Sequence, residues 1–415
     1  MISSDKNTIF SSGGDSAKLL YVVAFLMSFG NGVLWVSWPF VIKGLNGTAA
    51  DVGNCFALHM GIYMCTCLAI GFRLGHLNAR RVIQNGVVVV ILAVGGMCGV
   101  VMPASQRCCQ FDPVWLMIGL ALLIGMSMGF FWPYLMGWLS GGYEGRDLNR
   151  RLGMFNVAWV SGGIISPWIG GILVERSSLL VLAAAEVGIV LCFVAVSFTR
   201  GEVRESAGQN NNSPVPNDFN EALLLKFRWI ARISLLCVMV CIGLVRTQLG
   251  LLLVEPVLGY SESDFGKVIT VVSLAYFAVF AATGKWHFWH FRIAALIGAQ
   301  ILVVLSMVII LHSSRLWEFF VAAAVLGTSA SFIYASHLYY GVSGSKRRSR
   351  RMAIHETTQS LGMVVGSLAG GYLYVHISGY APYWFGIVFF GVGFLAQIIV
   401  WFALKPTDQT DKQSV

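Results

Sequence analysis

Long apolar runs recur along the chain from Lys18 to Leu404, separated by short polar segments. A helix needs about 20 mostly apolar residues to cross the hydrocarbon core of a bilayer. Windows of that kind fall at 18–43, 52–75, 82–103, 113–140, 150–174, 178–199, 230–256, 264–284, 293–313, 316–342, 352–376 and 382–404. The pattern predicts an all-α membrane protein with twelve transmembrane helices. One long polar stretch interrupts it. Residues 200–221 hold Asn-Asn-Asn-Ser-Pro-Val-Pro, a composition typical of flexible linkers. The expected organisation is therefore a polar tail (1–17), six helices (18–199), a linker (200–229), six more helices (230–404) and a second tail (405–415). The first apolar stretch is too long for a signal peptide and lacks a small-residue cleavage site, so it is expected to stay as a span.

Composition agrees with this reading. Hydrophobic residues make up 57% of the chain and charged residues 11%, against roughly 25% charged in soluble domains. Mean hydropathy is +0.73, which excludes an ordinary water-facing surface. The net charge of +9 does not point to nucleic acid, because the basic residues sit in short loops between spans. Placing both termini on one side collects 22 of the 28 Lys and Arg there and 5 on the other, with Arg246 inside a span. This skew predicts cytoplasmic termini and linker, in a bacterial inner (plasma) membrane.

Seven of the nine cysteines lie in apolar runs, as small packing residues do. Cys108 and Cys109 adjoin in a short loop and receive no role. Cys65 and Cys67 have no second pair at metal-ligand spacing, so neither metal nor cofactor is expected. No phosphate-binding nucleotide loop, zinc-protease helix or serine-nucleophile elbow occurs, which argues against an enzyme or an ATP-driven pump.

Ordered sets of residues return in the second half. Asp51, Gly53, Tyr63 and Gly71 reappear 213 positions later as Asp264, Gly266, Tyr276 and Gly284. Gly125, Ser127, Phe130 and Trp132 reappear 202 later as Gly327, Ser329, Phe332 and Tyr334. Arg151, Gly162, Gly170 and Gly171 reappear 200 later as Arg351, Gly362, Gly370 and Gly371. A slowly shrinking offset is what small loop deletions leave in a duplicated chain. Two pseudo-symmetric six-helix bundles in the same orientation follow.

This organisation resembles the major facilitator superfamily (MFS fold), and two motifs carry the resemblance. Between spans two and three, Gly71-Phe-Arg-Leu-Gly-His76-Leu-Asn78-Ala79-Arg80-Arg81 stands where the family has a glycine, an acid, a basic residue and Gly-Arg-Arg. His76 replaces the acid and Ala79 the last glycine. The resemblance implies that His76, Arg80 and Arg81 contact the neighbouring half and gate the cytoplasmic side. The plainer reading is a basic membrane anchor. The repeat copy is Gly284-Lys285-Trp-His-Phe-Trp-His-Phe-Arg292.

In span five, Gly153, Gly162, Ser166-Pro167 and Gly170-Gly171 match the spacing of the family's antiporter motif, with Ser166 in place of one glycine. Small residues three and four apart let another backbone approach closely, and neighbouring helices re-satisfy the carbonyl that Pro167 frees. Span eleven repeats the small face as Gly362, Gly366, Gly370 and Gly371 without the proline, so generic close packing competes with the antiport reading. An arginine four residues before a glycine in span four, found in many proton-coupled drug exporters, is absent: Ala121 precedes Gly125.

The resemblance places spans one, four, seven and ten around a central cavity. The candidates are Asn31, Trp35 and Trp38, which share a helix face, with Trp132, Tyr134, Arg246, Gln248, Tyr334 and His337. Each aromatic is also explained by packing or an interface belt. Arg246 is the sharpest, since a charge inside a span is expensive and faces protein or water. An anionic group on a solute, or an acid across the cavity, is its expected partner.

Glu356 opens span eleven opposite its repeat partner Asn156. A carboxylate near a helix N-terminus is favoured by the dipole; gating or protonation with His76 is the functional alternative. His59, His337 and Glu356 are the groups suited to proton coupling. The expected function is secondary active or facilitative transport of a small organic solute by alternating access, as a monomer, inclined to export by the span-five motif. The alternatives are uptake of a sugar-like metabolite and, from another class, a transporter-like sensor or scaffold with a collapsed cavity.

Overall fold

The computed structural model describes residues 12–70, 77–102, 111–140, 145–199, 221–283, 289–342 and 348–404. The described residues form long helices and no strands: α1 (Ser12–Gly44), α2 (Ala49–Ala69), α3 (Ala79–Val101), α4 (Pro113–Ser140), α5 (Gly145–Arg176) and α6 (Ser178–Phe198), then α7, α8 (Glu262–Thr283), α9 (Ile293–His312), α10 (Leu316–Val342), α11 (Arg348–His376) and α12 (Ala381–Ala403). Helix α7 runs Glu221–Leu244, passes through a π turn at Val245–Leu249 and ends with Gly250–Leu253.

Eleven of these helices are long and apolar enough to cross a membrane. The other, α11, is 29 residues long but carries His355, Glu356, Thr357, Thr358 and Gln359 in its first half. It crosses between other helices, where such residues find partners.

Most boundaries fall within a few residues of the expected spans, with a correction at each tail of the first half. Helix α1 already begins at Ser12. Helix α7 begins at Glu221, so residues 221–229 are helix rather than linker. Lys226, Arg228 and Arg232 mask an inward face of Leu224, Phe227, Ile230 and Ala231, all buried at helical spacing. The remainder of the tails and linker, His76, Cys108 and Cys109 lie outside the described residues.

The halves are built alike. Helix α1 packs on α5 and α6, α2 on α4, and α3 on α4 and α6. Helix α7 likewise packs on α11 and α12, α8 on α10, and α9 on α10 and α12. Two seams join the halves, α2 on α11 and α5 on α8.

The small-residue stripes set these contacts. In α5, Gly162 lies against Phe25 and Phe29 of α1, Ser166 against Gly32, and Gly170 against Val33 and Val36. In α11, Gly362 lies against Leu236 and Met239 of α7, Gly366 against Val240, and Gly370 against Leu244 and Gln248. The next glycine in each stripe turns to the other half. A Cβ on Gly171 would stand 3.0 Å from the Glu262 carbonyl oxygen and 3.0 Å from Gly266 Cα. One on Gly371 would stand 2.6 Å from the Ala49 carbonyl oxygen. Gly53 and Gly266 complete the seams against the Ser367 and Pro167 carbonyls. Gly153, the first residue of the α5 motif, has open space where a Cβ would stand. Both seams close at the bundle end remote from the chain termini.

The repeated acids start helices there. The Thr48 amide donates to Asp51 Oδ2 (2.8 Å) and the Asp51 amide to Thr48 Oγ1 (3.3 Å). Ser261 and Asp264 exchange the same pair of bonds at 3.3 Å each. These are reciprocal capping boxes.

Gly53→Val is expected to part the α2–α11 seam, because inserted methyl groups in a packed contact cost about 1–3 kcal/mol. The buried Ser367, replaced by cysteine, should then react about tenfold faster with a water-soluble maleimide than in the Gly53 parent. An unchanged rate would show that this glycine does not limit the seam.

Candidate solute site

The π turn of α7 makes the centre of the site. Thr247 Oγ1 donates back to the Gly243 carbonyl at 2.7 Å, and the helix widens over Val245–Leu249. Such bulges recur at functional positions because they redirect side chains. Arg246 is sent toward α1, where its guanidinium lies over the Trp35 ring, 5.2 Å from the centroid. Gln248 is sent toward α11 and the other half, where its Nε2 reaches the Ala49 carbonyl at 3.5 Å.

Arg246 and Trp35 line a cavity of about 10 Å³ with Gly32, Val36, Phe265 and Ile269, room for roughly one water. The cavity lies at the junction of the halves: α1 supplies three of its lining residues, α7 one and α8 two. Among the described residues, no carboxylate pairs with Arg246 and no hydrogen bond reaches it. Trp35 Nε1 and Asn31 Oδ1, one helical turn apart, are buried without hydrogen-bond partners.

The other cavity candidates lie elsewhere. Trp38 is fully buried inside the first half, edge-on to Phe56 and His59. Trp132 packs on Phe131 and Phe155. Tyr134 bonds the backbone at Leu77. Tyr334 contacts Phe280 and His355. His337 Nδ1 stands 2.6 Å from His355 Nδ1, a distance that requires one nitrogen to donate and the other to accept. His59 bonds the Ala121 carbonyl at 2.9 Å. Of the expected lining residues the structure brings Trp35 and Arg246 to the cavity. Gly32, Val36, Phe265 and Ile269 were missed, because an apolar residue in a span carries no signal beyond hydropathy.

The gating candidates divide. Glu356 joins the halves: Tyr63 of α2 donates its hydroxyl at 3.1 Å, and Gln359 donates Nε2 at 2.9 Å. Tyr63 was visible as a repeat residue, though not as this partner. Its repeat copy, Tyr276, stands within electrostatic reach of Arg246 and of Tyr334. Asn156 is exposed on α5.

Arg80 corrects the expectation of a contact with the other half. Its Nη2 donates to the Ser197 carbonyl of α6, in its own half, at 2.7 Å, and Arg81 is exposed. The equivalent turn in the second half behaves alike. The Phe291 amide donates to Tyr340 Oη at 2.9 Å, and His290 stacks on Tyr339 with centroids 3.9 Å apart.

Two like six-helix bundles, sharing a small cavity where they meet in a membrane-spanning chain, define the architecture of a transporter. The chain belongs to the Major Facilitator Superfamily, whose sequence profile matches residues 20–344. Solved structures share the fold. The nucleoside transporter NupG aligns with a TM-score of 0.71 at 11% identity, covering 95% of this chain and 100% of its own. A POT family transporter in complex with 5-aminolevulinic acid gives 0.66 at 13%, covering 94% and 96%. The human organic anion transporter MFSD10 gives 0.62 at 13%, covering 92% and 98%. No curated protein matches the chain in sequence.

Tyr63→Phe removes the one hydroxyl that ties α2 to Glu356. A hydrogen bond to a charged group contributes roughly 1.5–3 kcal/mol, so the joined state should lose about tenfold or more in population. The rate of disulfide formation between Ile164→Cys and Thr270→Cys, across the other seam, measures that population. An unchanged rate would show that the Tyr63 bond is not part of the closure.

Proposed function

We propose that the protein is a secondary transporter that moves a small organic solute by alternating access of its two bundles, with export favoured over uptake. The observation that carries this reading is the position of Arg246, an unpaired cation on a distorted helix, facing a cavity at the junction of the halves. Among the described residues that charge has the Trp35 ring beside it and no anion, and a charge inside a span is expensive. Direction is inclined to export by the α5 pattern of Gly153, Gly162, Ser166-Pro167 and Gly170-Gly171.

The bias of basic residues toward the terminal side supports cytoplasmic termini in a plasma membrane; the glycine seams then close the outer end. Glu356 is the titratable group at the seam through which a proton gradient would act. A second reading, a transporter-like sensor, is favoured by the narrowness of the cavity, about 10 Å³.

Flux that depends on motion separates the two. Thr270 Oγ1 reaches the Ile164 carbonyl at 3.4 Å across the α5–α8 seam. The Ile164→Cys/Thr270→Cys pair, in a background without native cysteines, is expected to cross-link on oxidation. Proteoliposomes loaded with a cell extract and followed by mass spectrometry should release at least one solute faster than protein-free vesicles. Cross-linking should stop that release and dithiothreitol restore it. Release equal to protein-free vesicles, with the purified protein folded, would favour the sensor.

A further inference from the structure

We infer that the solute is a small organic monoanion, whose carboxylate or equivalent group binds Arg246 while an apolar body lies against Phe265, Ile269 and Val36. This rests on the transporter reading and names the substrate class of that site.

Four observations carry it. First, the guanidinium has neither ion pair nor hydrogen bond among the described residues, and a half-buried cation inside a span is costly without a counter-charge. Second, the acid that does stand at the junction, Glu356, is already bonded by Tyr63 and Gln359 and is not paired with Arg246. Third, the Trp35 ring covers one side of the guanidinium. A ring contact of this kind uses no N–H hydrogen bond of the guanidinium, and its planar fork suits an oxyanion. Fourth, Trp35 Nε1 is a buried donor with no acceptor among the described residues.

A single cation sets the charge at one. The remaining walls, Val36, Phe265 and Ile269, offer no hydrogen-bonding side chain, so the rest of the solute is apolar where it meets them. Asn31 Oδ1, unpartnered one turn away, is an acceptor placed for a hydroxyl or amine donor on the same solute. The present cavity admits about one water, so the body of the solute enters when the halves part.

The test is thermal unfolding of the full-length protein in detergent and chloride-free buffer, titrated with benzoate, with neutral benzamide and with cationic benzylamine. Benzoate is expected to raise the melting temperature saturably. Benzamide should need roughly tenfold or more higher concentration, the discrimination typical of a charge-assisted hydrogen bond, and benzylamine should have no effect. Arg246→Gln should abolish the benzoate response, while Arg246→Lys, which keeps the charge without the planar fork, should retain a weakened one. The Arg246→Lys response keeps the test informative if the glutamine variant fails to fold.

Equal responses to benzoate and benzamide, a benzoate response surviving in Arg246→Gln, or no response to benzoate at all would overturn the proposal. Failure of the transporter reading is scored separately, by cross-link-insensitive or absent release of solute from proteoliposomes. A neutral solute released in that assay while benzoate is inert would overturn the anion and leave the transporter.

Discussion

The structure depends on backbone touching backbone without side chains between. At both seams, and at Gly162, Gly362 and Gly366 along α1–α5 and α7–α11, a Cβ would meet a carbonyl or other backbone atom, while Gly170 and Gly370 take in side chains of the facing helix. In a bilayer the lipid is as apolar as the helices, so association gains little from burying oily surface and relies on close van der Waals fit. Glycines at 162, 170, 171, 362, 366, 370 and 371 supply that fit. Their arrangement also separates contacts within a bundle from contacts between bundles. Three small residues of each stripe are committed to a partner in the same half, and the last alone faces across.

Electrostatics then distinguishes the interior of the interface. A polar group shut away from water must be satisfied by protein or by a visitor. Inside the second half, Gln300 of α9 and Gln397 of α12 satisfy each other, with hydrogen bonds of 3.0 and 2.9 Å. Glu356 is satisfied by Tyr63 and Gln359. His337 and His355 share a contact. Arg246 has no anion beside it among the described residues, and the π turn that presents it breaks the regular geometry of α7 at the same place. A local departure from ideal helix combined with an unmet charge is what a binding position costs a fold.

Much of this was legible in the sequence, because hydropathy and small-residue spacing are strong signals in a lipid solvent. The number of helices, the duplication, the stripes in α5 and α11 and the oddity of Arg246 all follow from residue type and interval. Helix α7 started earlier than expected because its first turns are amphipathic rather than uniformly apolar. The cavity lining was less legible. Trp38 and Trp132 are large and share the expected helices, but the direction of a side chain in a fully apolar span depends on which neighbour packs there. The role of Tyr63 depended on a partner 293 positions away in the chain, which no local pattern encodes.

Duplication gave the molecule two equivalent points, Asn156 on α5 and Glu356 on α11, and the chain has made them different. An amide keeps one form at any proton concentration, whereas a carboxylate exists in two. Two seams that began as copies of one another thus differ in chemistry, one carrying a carboxylate where the other has an amide.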